Sequence, residues 1–170
     1  MTGIIDLASR QQEKKGAIDF WRQHTIDAIL WPSAWKKADV GFPLDWKSTE
    51  FSRNNINLIP DTPGVYAFSI SIRNSIFPSQ RTIVYFGKTT SLQTRYRDYI
   101  GERRRGSKRI KFGNLFKLWP DDIVFTFSMV DDQNYNLDEV EKVLNDAVIP
   151  HFVKQDFSAE IRSLVQILRG

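Results

Sequence analysis

Three short runs with β-strand character, separated by helical segments, constrain the fold of this chain most strongly. Residues 65–72 (VYAFSISI) alternate large apolar side chains with small ones, a period-2 pattern typical of a half-buried strand. Residues 81–86 (RTIVYF) and 123–130 (IVFTFSMV) are rich in β-branched and aromatic residues. A connecting loop over residues 73–80 predicts that the first two runs form a long-loop hairpin.

Helical patterns surround these runs. Apolar residues recur at helical spacing in residues 14–30, 137–148 and 158–168, and residues 91–105 begin at a residue that can cap a helix. Residues 106–120 are compatible with a further short helix. The order helix, strand, strand, helix, strand, helix, helix predicts an α+β fold, in which helices flank a small three-stranded antiparallel sheet.

Two terminal segments are expected to flank this core. Residues 1–60 are predicted to form a helical and irregular extension, and four of the five tryptophans lie within its first 46 residues. These aromatic side chains would either stack on bases or form a small satellite core. Residues 61–153 are predicted to form the core domain, and residues 154–170 a C-terminal helix packed on it.

The composition excludes several kinds of site. The 170 residues include no cysteine, which excludes disulfides, thiolate metal sites and cysteine nucleophiles. The two histidines, His24 and His151, are too few for a multi-histidine metal site. Because no apolar stretch approaches the length that spans a bilayer, we expect a cytoplasmic protein without a membrane partner. The formal net charge of +4 suits a polyanionic partner without requiring one.

Two charged residues each lie on the apolar face of a different predicted helix. Glu141 lies within the apolar stripe of its predicted helix, whereas the neighbouring Asp138 and Glu139 point elsewhere. A carboxylate on such a stripe needs a cation or an ion pair, and a boundary glutamate paired with a lysine or arginine is the alternative. Arg95 lies on the apolar face of its own helix, where its donor fork suits a phosphate. The alternative for Arg95 is an internal salt bridge, in particular to Glu141.

The densest charge bias lies between residues 95 and 117, where nine basic residues meet two acidic ones. Such a cluster is typical of a surface that follows a phosphate backbone. The alternative is a solvated basic helix end, which the helix dipole also favours. The candidate nucleic-acid-binding residues are Arg97, Arg103, Arg104, Arg105, Lys108, Arg109 and Lys111.

Five short motifs follow one another in a fixed order. GVY occupies residues 64–66 and YFG residues 85–87, at the start of the first strand and the end of the second. The segment GKTTSLQTR, residues 87–95, places an arginine eight residues after a glycine, and Tyr99 follows four residues later. In the segment 141–150, a glutamate is followed by a leucine three residues later and a proline nine residues later.

Together these motifs, over residues 64–153, resemble the pattern of the GIY-YIG nuclease superfamily. Two features depart from it. Val153 stands where the family often has an asparagine, which weakens the expected support of the site, and the hairpin loop is longer than in the most compact members.

The resemblance implies a metal-dependent endonuclease that hydrolyses phosphodiester bonds in DNA, with RNA not excluded. One Mg²⁺ or Mn²⁺ ion per active site would be bound by Glu141, with water and phosphate oxygens completing the shell. The biological role implied is restriction, defence, mobile-element transfer or repair, and the protein would act as a monomer or a homodimer.

The same resemblance implies roles for further side chains. Tyr66 would be the general base, with its pKa lowered by Lys88, Arg95 and the metal. Arg95 would hold the phosphate oxygens, while Tyr85 and Tyr99 would position water and phosphate. The implied catalytic residues are Tyr66, Tyr85, Lys88, Arg95, Tyr99 and Glu141.

Two other functions are compatible with the sequence. The first is a catalytically inactive nucleic-acid-binding module on the same fold, which Val153 favours. The second is a protein-interaction domain that uses the aromatic N-terminal segment as its docking surface.

Overall fold

The computed structural model describes residues 3–73, 76, 78–131 and 133–169, with side chains from residue 12 onward. The helices are α1 (Gly3–Gln23), α2 (Pro32–Lys37), α3 (Leu92–Arg105), α4 (Ile110–Leu118), α5 (Leu137–Val148) and α6 (Ala159–Arg169), and a 3₁₀ helix spans Arg53–Leu58. The strands are β1 (Lys47–Glu50), β2 (Gly64–Ile72), β3 (Gln80–Thr89) and β4 (Ile123–Met129). The predicted α+β class is confirmed.

The sheet has four strands in the order β1-β4-β2-β3, and every neighbouring pair is antiparallel. The prediction of three strands was therefore wrong by one edge strand. That strand, β1, has the sequence KSTE, and most of it is exposed. It carries no apolar alternation because it is held by backbone pairing, as between Lys47 and Phe127, rather than by a buried face.

The N-terminal helix also differs from the prediction of residues 14–30. The helix α1 ends at Gln23, and a second helix begins at Pro32, a residue suited to the first turn of a helix. Between them the backbone N–H of Asp27 donates to Nδ1 of His151, 3.2 Å away. This bond holds the segment after α1 against the core. A continuous helix over residues 14–30 would not place that segment there.

The two faces of the sheet carry different cores. On one face, Tyr66 and Phe68 of β2 belong to an aromatic cluster covered by α3 and α4, and Phe68 contacts the rings of Tyr99 and Phe112. On the other face, Val65 packs in a smaller cluster with residues of α5. The alternation along β2 therefore separates the aromatic face from the α5 face.

The end of α5 is joined to the C-terminal helix. Ile149 caps α5 in the left-handed region, with φ of 50°, which a β-branched residue rarely adopts. Arg169 of α6 donates to the carbonyls of Ile149 and Val153, each at 2.9 Å. Val153 is 1% exposed and packs with α6, so this position is part of a core.

Within the described part of the chain, no helix has both the length and the apolar character required to cross a membrane.

We expect Gly64→Ala to destabilise the fold, because a Cβ at this position would lie 2.3 Å from the Ser128 carbonyl oxygen. Overpacking against backbone costs about 1–3 kcal/mol. Gly16→Ala, in α1, is the control, because its Cβ would meet nothing within 4 Å. Urea unfolding should show a lower midpoint for the first variant and an equal or higher one for the second. Equal stability of Gly64→Ala and the wild type would contradict the packing.

Candidate active site

Three tyrosines from three elements meet on the aromatic face of the sheet. Tyr66 of β2 is 2% exposed, and its hydroxyl oxygen lies 3.0 Å from that of Tyr99 of α3. The ring of Tyr85, from β3, has its centroid 6.2 Å from that of Tyr66. Gly87 pairs with Tyr66 across the strands, and a Cβ there would lie 2.5 Å from the Tyr66 hydroxyl. The glycine therefore leaves the space that the Tyr66 ring occupies.

Arg95 lies one helical turn before Tyr99 and is half-buried. Its Nε is buried without a hydrogen-bond partner among the described residues, and no ion pair joins the guanidinium to a carboxylate there. The alternative of a salt bridge to Glu141 is therefore not found. A buried N–H without a partner is uncommon and costly, so this donor is available to an anionic ligand.

Glu141 of α5 is mostly buried, and its Oε2 lies 3.2 Å from Nζ of Lys88. Lys88 also donates to Asp138, which precedes Glu141 by one helical turn. Burial raises the pKa of Glu141 above its usual value, and the charge of Lys88 opposes this only in part. For Lys88, burial lowers the pKa, but the bond to Asp138 and the charge of Glu141 outweigh it.

In the metal-free protein, the pKa values of the Tyr66 and Tyr85 phenols are raised, so these groups are hard to deprotonate. Burial, followed by the neighbouring Tyr99 and Tyr85, holds the pKa of Tyr66 well above its usual value, and Arg95 lowers it only slightly. Burial also raises the pKa of Tyr85. Arg95 therefore lowers the pKa of Tyr66, as expected, but desolvation of the phenolate is the larger effect and the net shift is upward.

Arg109 lies in the wall of the tyrosine cluster, although the sequence places it in the basic surface. Its Nη1 donates to the Tyr99 hydroxyl at 3.3 Å, and its guanidinium stacks 4.2 Å from the ring centroid of Phe112. Its Nη2 bonds to Glu102 at 2.6 Å. No periodic pattern predicts this contact, because Arg109 precedes α4 and reaches back to α3.

The rest of the basic cluster divides into two groups. Arg103 is half-buried and donates to the carbonyl of Phe51, and Lys111 donates to that of His151, each at 3.0 Å. Burial, then the charges of nearby basic residues, lowers the pKa of Lys111 to about 8. Among the seven candidate nucleic-acid-binding residues, the exposed ones without a carboxylate partner in the described chain are Arg97, Arg104, Arg105 and Lys108. These four form the surface suited to a phosphate backbone.

Glu141 fits the single carboxylate that a hydrated divalent cation requires. Its Oε1 makes no hydrogen bond to the described residues, so a hard oxygen donor is available beside the tyrosines. No group of three or more carboxylates or imidazoles occurs in the described chain that could form an all-protein cage. Mg²⁺ commonly binds one or two carboxylates and keeps several waters, and the carboxylate of Glu141 is compatible with this coordination.

Comparisons with protein-family models and with curated proteins give no match. Among solved structures, the chain is similar to the GIY-YIG N-terminal endonuclease domain of UvrC from Thermotoga maritima bound to magnesium, with 22% identity and a TM-score of 0.38. That match covers 59% of this chain and 93% of that domain. Two point mutants of the same domain match at 22% and 20% identity, with TM-scores of 0.38 and 0.39, each covering 59% of this chain and 92% of theirs.

At 20–22% identity, the similarity concerns the fold alone and is not evidence of activity.

We expect Glu141→Gln to stabilise the metal-free protein at pH 7. Because burial raises the folded-state pKa of Glu141, its ionisation opposes folding above that pKa, and the effect disappears once the carboxyl is protonated. The gain should be present at pH 7 and should shrink toward pH 4, where the carboxyl becomes protonated. Urea unfolding in EDTA at both pH values measures it.

The exposed Glu139 provides the matched control, since Glu139→Gln should change stability little at either pH. A Glu141→Gln variant less stable than the wild type at pH 7 would mean that the ion pair with Lys88 outweighs the cost of burial.

Proposed function

We propose that this chain is an endonuclease that hydrolyses phosphodiester bonds in DNA with one divalent cation, Mg²⁺ or Mn²⁺, bound by Glu141. The observation that carries the proposal is the unpartnered, buried Nε of Arg95 beside the Tyr66 hydroxyl cluster. An arginine fork without a carboxylate partner is suited to the oxygens of a phosphate. DNA is preferred as the substrate because of the motif resemblance.

In this mechanism Arg95 donates hydrogen bonds to the non-bridging oxygens of the scissile phosphate as their charge develops. The bound cation would supply the positive charge that stabilises the leaving 3′ oxygen. Tyr66 and Tyr85 orient the attacking water by hydrogen bonds. Tyr66 then takes the proton from that water, which requires its phenolate to form against the effect of burial.

Lys88 and Arg109 hold this arrangement. Lys88 contacts both Glu141 and Asp138, so it partly neutralises the buried carboxylate before a cation binds. Arg109 donates to the hydroxyl of Tyr99, which is then free to donate its own proton toward Tyr66. These contacts support positioning roles for Lys88, Arg109 and Tyr99.

A second candidate is an inactive nucleic-acid-binding module on the same fold. The raised pKa of Tyr66 favours this reading, because a buried phenol is a poor base. The two candidates share a DNA surface and differ in whether Glu141 and Arg95 support catalysis.

We expect Glu141→Gln and Arg95→Met each to lower the rate of DNA cleavage by about 100-fold or more, because each removes charge that stabilises the transition state. The assay is the cutting of plasmid, linear, branched and single-stranded DNA, and of RNA, in Mg²⁺, Mn²⁺ or EDTA. Matched controls are Glu139→Gln and Arg53→Met, which change exposed side chains.

The proposed site is rejected if either site variant retains full metal-dependent cutting. Absence of cutting by the wild type on every substrate, with binding retained, would identify the inactive module instead.

DNA binding should weaken steeply as salt rises, because the exposed basic residues replace counterions on the phosphates. The variants Arg104→Met and Lys108→Met should each reduce the slope of log affinity against log salt concentration by about 0.9 if each contacts one phosphate. Arg53→Met should leave the slope unchanged. Fluorescence anisotropy with a labelled duplex measures these slopes, and salt-independent binding would favour the protein-interaction domain.

A further inference from the structure

A cavity of about 630 Å³ lies on the face of the sheet opposite the tyrosines. Its floor is formed by small side chains, including Ala67 and Ser69 of β2 and Thr126 of β4. Its other walls include Trp35 and Trp46 from the N-terminal segment, together with residues of α5. Sites for small molecules commonly enclose about 300–1,000 Å³ with mainly apolar walls and a few polar groups. The volume and lining of this cavity are therefore those of a ligand site.

The first polar group of the wall is a guanidinium without a counter-ion. Nη2 of Arg81 donates to Ser48 Oγ at 3.2 Å and to the hydroxyl of Thr126. No carboxylate forms an ion pair with Arg81 in the described chain, and Asp27, on the same wall, lies 3.4 Å from Nδ1 of His151. Burial, followed by the charge of Arg73, lowers the pKa of Arg81. Arg81 is exposed, so its guanidinium is accessible to an anion in the cavity and can hold it by a charge-assisted hydrogen bond.

The second polar group is the hydroxyl of Ser69. This residue is 1% exposed, and its Oγ has no hydrogen-bond partner among the described residues. Buried hydroxyls nearly always have a partner, so an unsatisfied one in a cavity wall indicates that a ligand or water completes it. The hydroxyl provides a hydrogen bond from the floor of the cavity.

The indoles define the shape of the ligand. Trp35 is 48% exposed and Trp46 is 37% exposed, although both line the cavity. Large aromatic surfaces left half-exposed around a cavity are suited to packing against a planar ring. The ring centroid of Phe86 lies 6.2 Å from that of Trp46 and adds a further aromatic wall.

We propose that this cavity binds a planar aromatic molecule with one anionic group, its rings against Trp35 and Trp46 and its anion on Arg81. The hydroxyl of Ser69 bonds to a polar atom of the same ligand. The cavity is separated from the candidate active site by the sheet, so this proposal does not depend on nuclease activity.

The test uses 8-anilinonaphthalene-1-sulfonate, an anion that carries a planar naphthalene ring, and its neutral analogue N-phenyl-1-naphthylamine, each titrated into the full chain by calorimetry and fluorescence. Arg81→Met should weaken binding of the sulfonate by about 10-fold or more, because a hydrogen bond to a charged group is lost. The same change should alter binding of the neutral analogue by less than about 2-fold. Arg53→Met is the matched control and should leave both affinities unchanged.

Trp35→Ala keeps the proposal testable if Arg81→Met fails to fold, because Trp35 is half-exposed on the short helix α2. This variant should weaken binding of both probes, and circular dichroism should confirm that its fold is retained. The proposal is overturned if the wild type binds neither probe, or if folded Arg81→Met and Trp35→Ala bind the sulfonate as the wild type does. The second result would place the probe on another apolar surface.

Discussion

A phenol oxygen inside an aromatic core must find a hydrogen-bond partner, and in this chain Tyr66 and Tyr99 provide one for each other at 3.0 Å. The bond joins the central strand β2 to the helix α3, and it fixes the rotation of that helix. Because Arg95 precedes Tyr99 by one turn, the same bond holds the guanidinium beside the strand. The position of the Tyr66 ring also requires a glycine at residue 87 of β3, since any side chain there would collide with that ring.

Burial has opposite consequences for the stability and the chemistry of this face. It disfavours the ionised forms of Glu141 and Tyr66, which are the forms that a hydrolytic mechanism needs. Lys88 offsets the cost at Glu141 only in part. A divalent cation at Glu141 would act against burial, because it favours the carboxylate and the nearby phenolates. Under the proposed function, burial in the metal-free chain therefore favours the neutral forms of Glu141 and Tyr66, which are the less reactive forms.

The sequence predicted the elements whose side chains carry a strong period. The strands β2, β3 and β4 and the helix α5 were found within three residues of their predicted bounds, because burial of one face imposes the pattern. The edge strand β1 escaped prediction because backbone pairing leaves no such pattern in KSTE. The contact of Arg109 with the tyrosines escaped prediction for a related reason, although this side chain is exposed as predicted. Its contact with Tyr99 depends on how α4 follows α3, and this is a tertiary relation that spacing along the chain does not encode.

The alternation of β2 also explains why the cavity lies on the face of the sheet opposite the tyrosines. Large rings at Tyr66 and Phe68 fill the α3 face, whereas their neighbours Ala67 and Ser69 leave space on the other face. The N-terminal segment closes over that space without filling it, and the hydroxyl of Ser69 stays unpaired. An unpaired buried hydroxyl opposes folding, and a hydrogen bond from a ligand in the cavity would remove that cost. Because each strand contributes to both faces, an occupant on one side is separated from the tyrosines by a single layer of backbone.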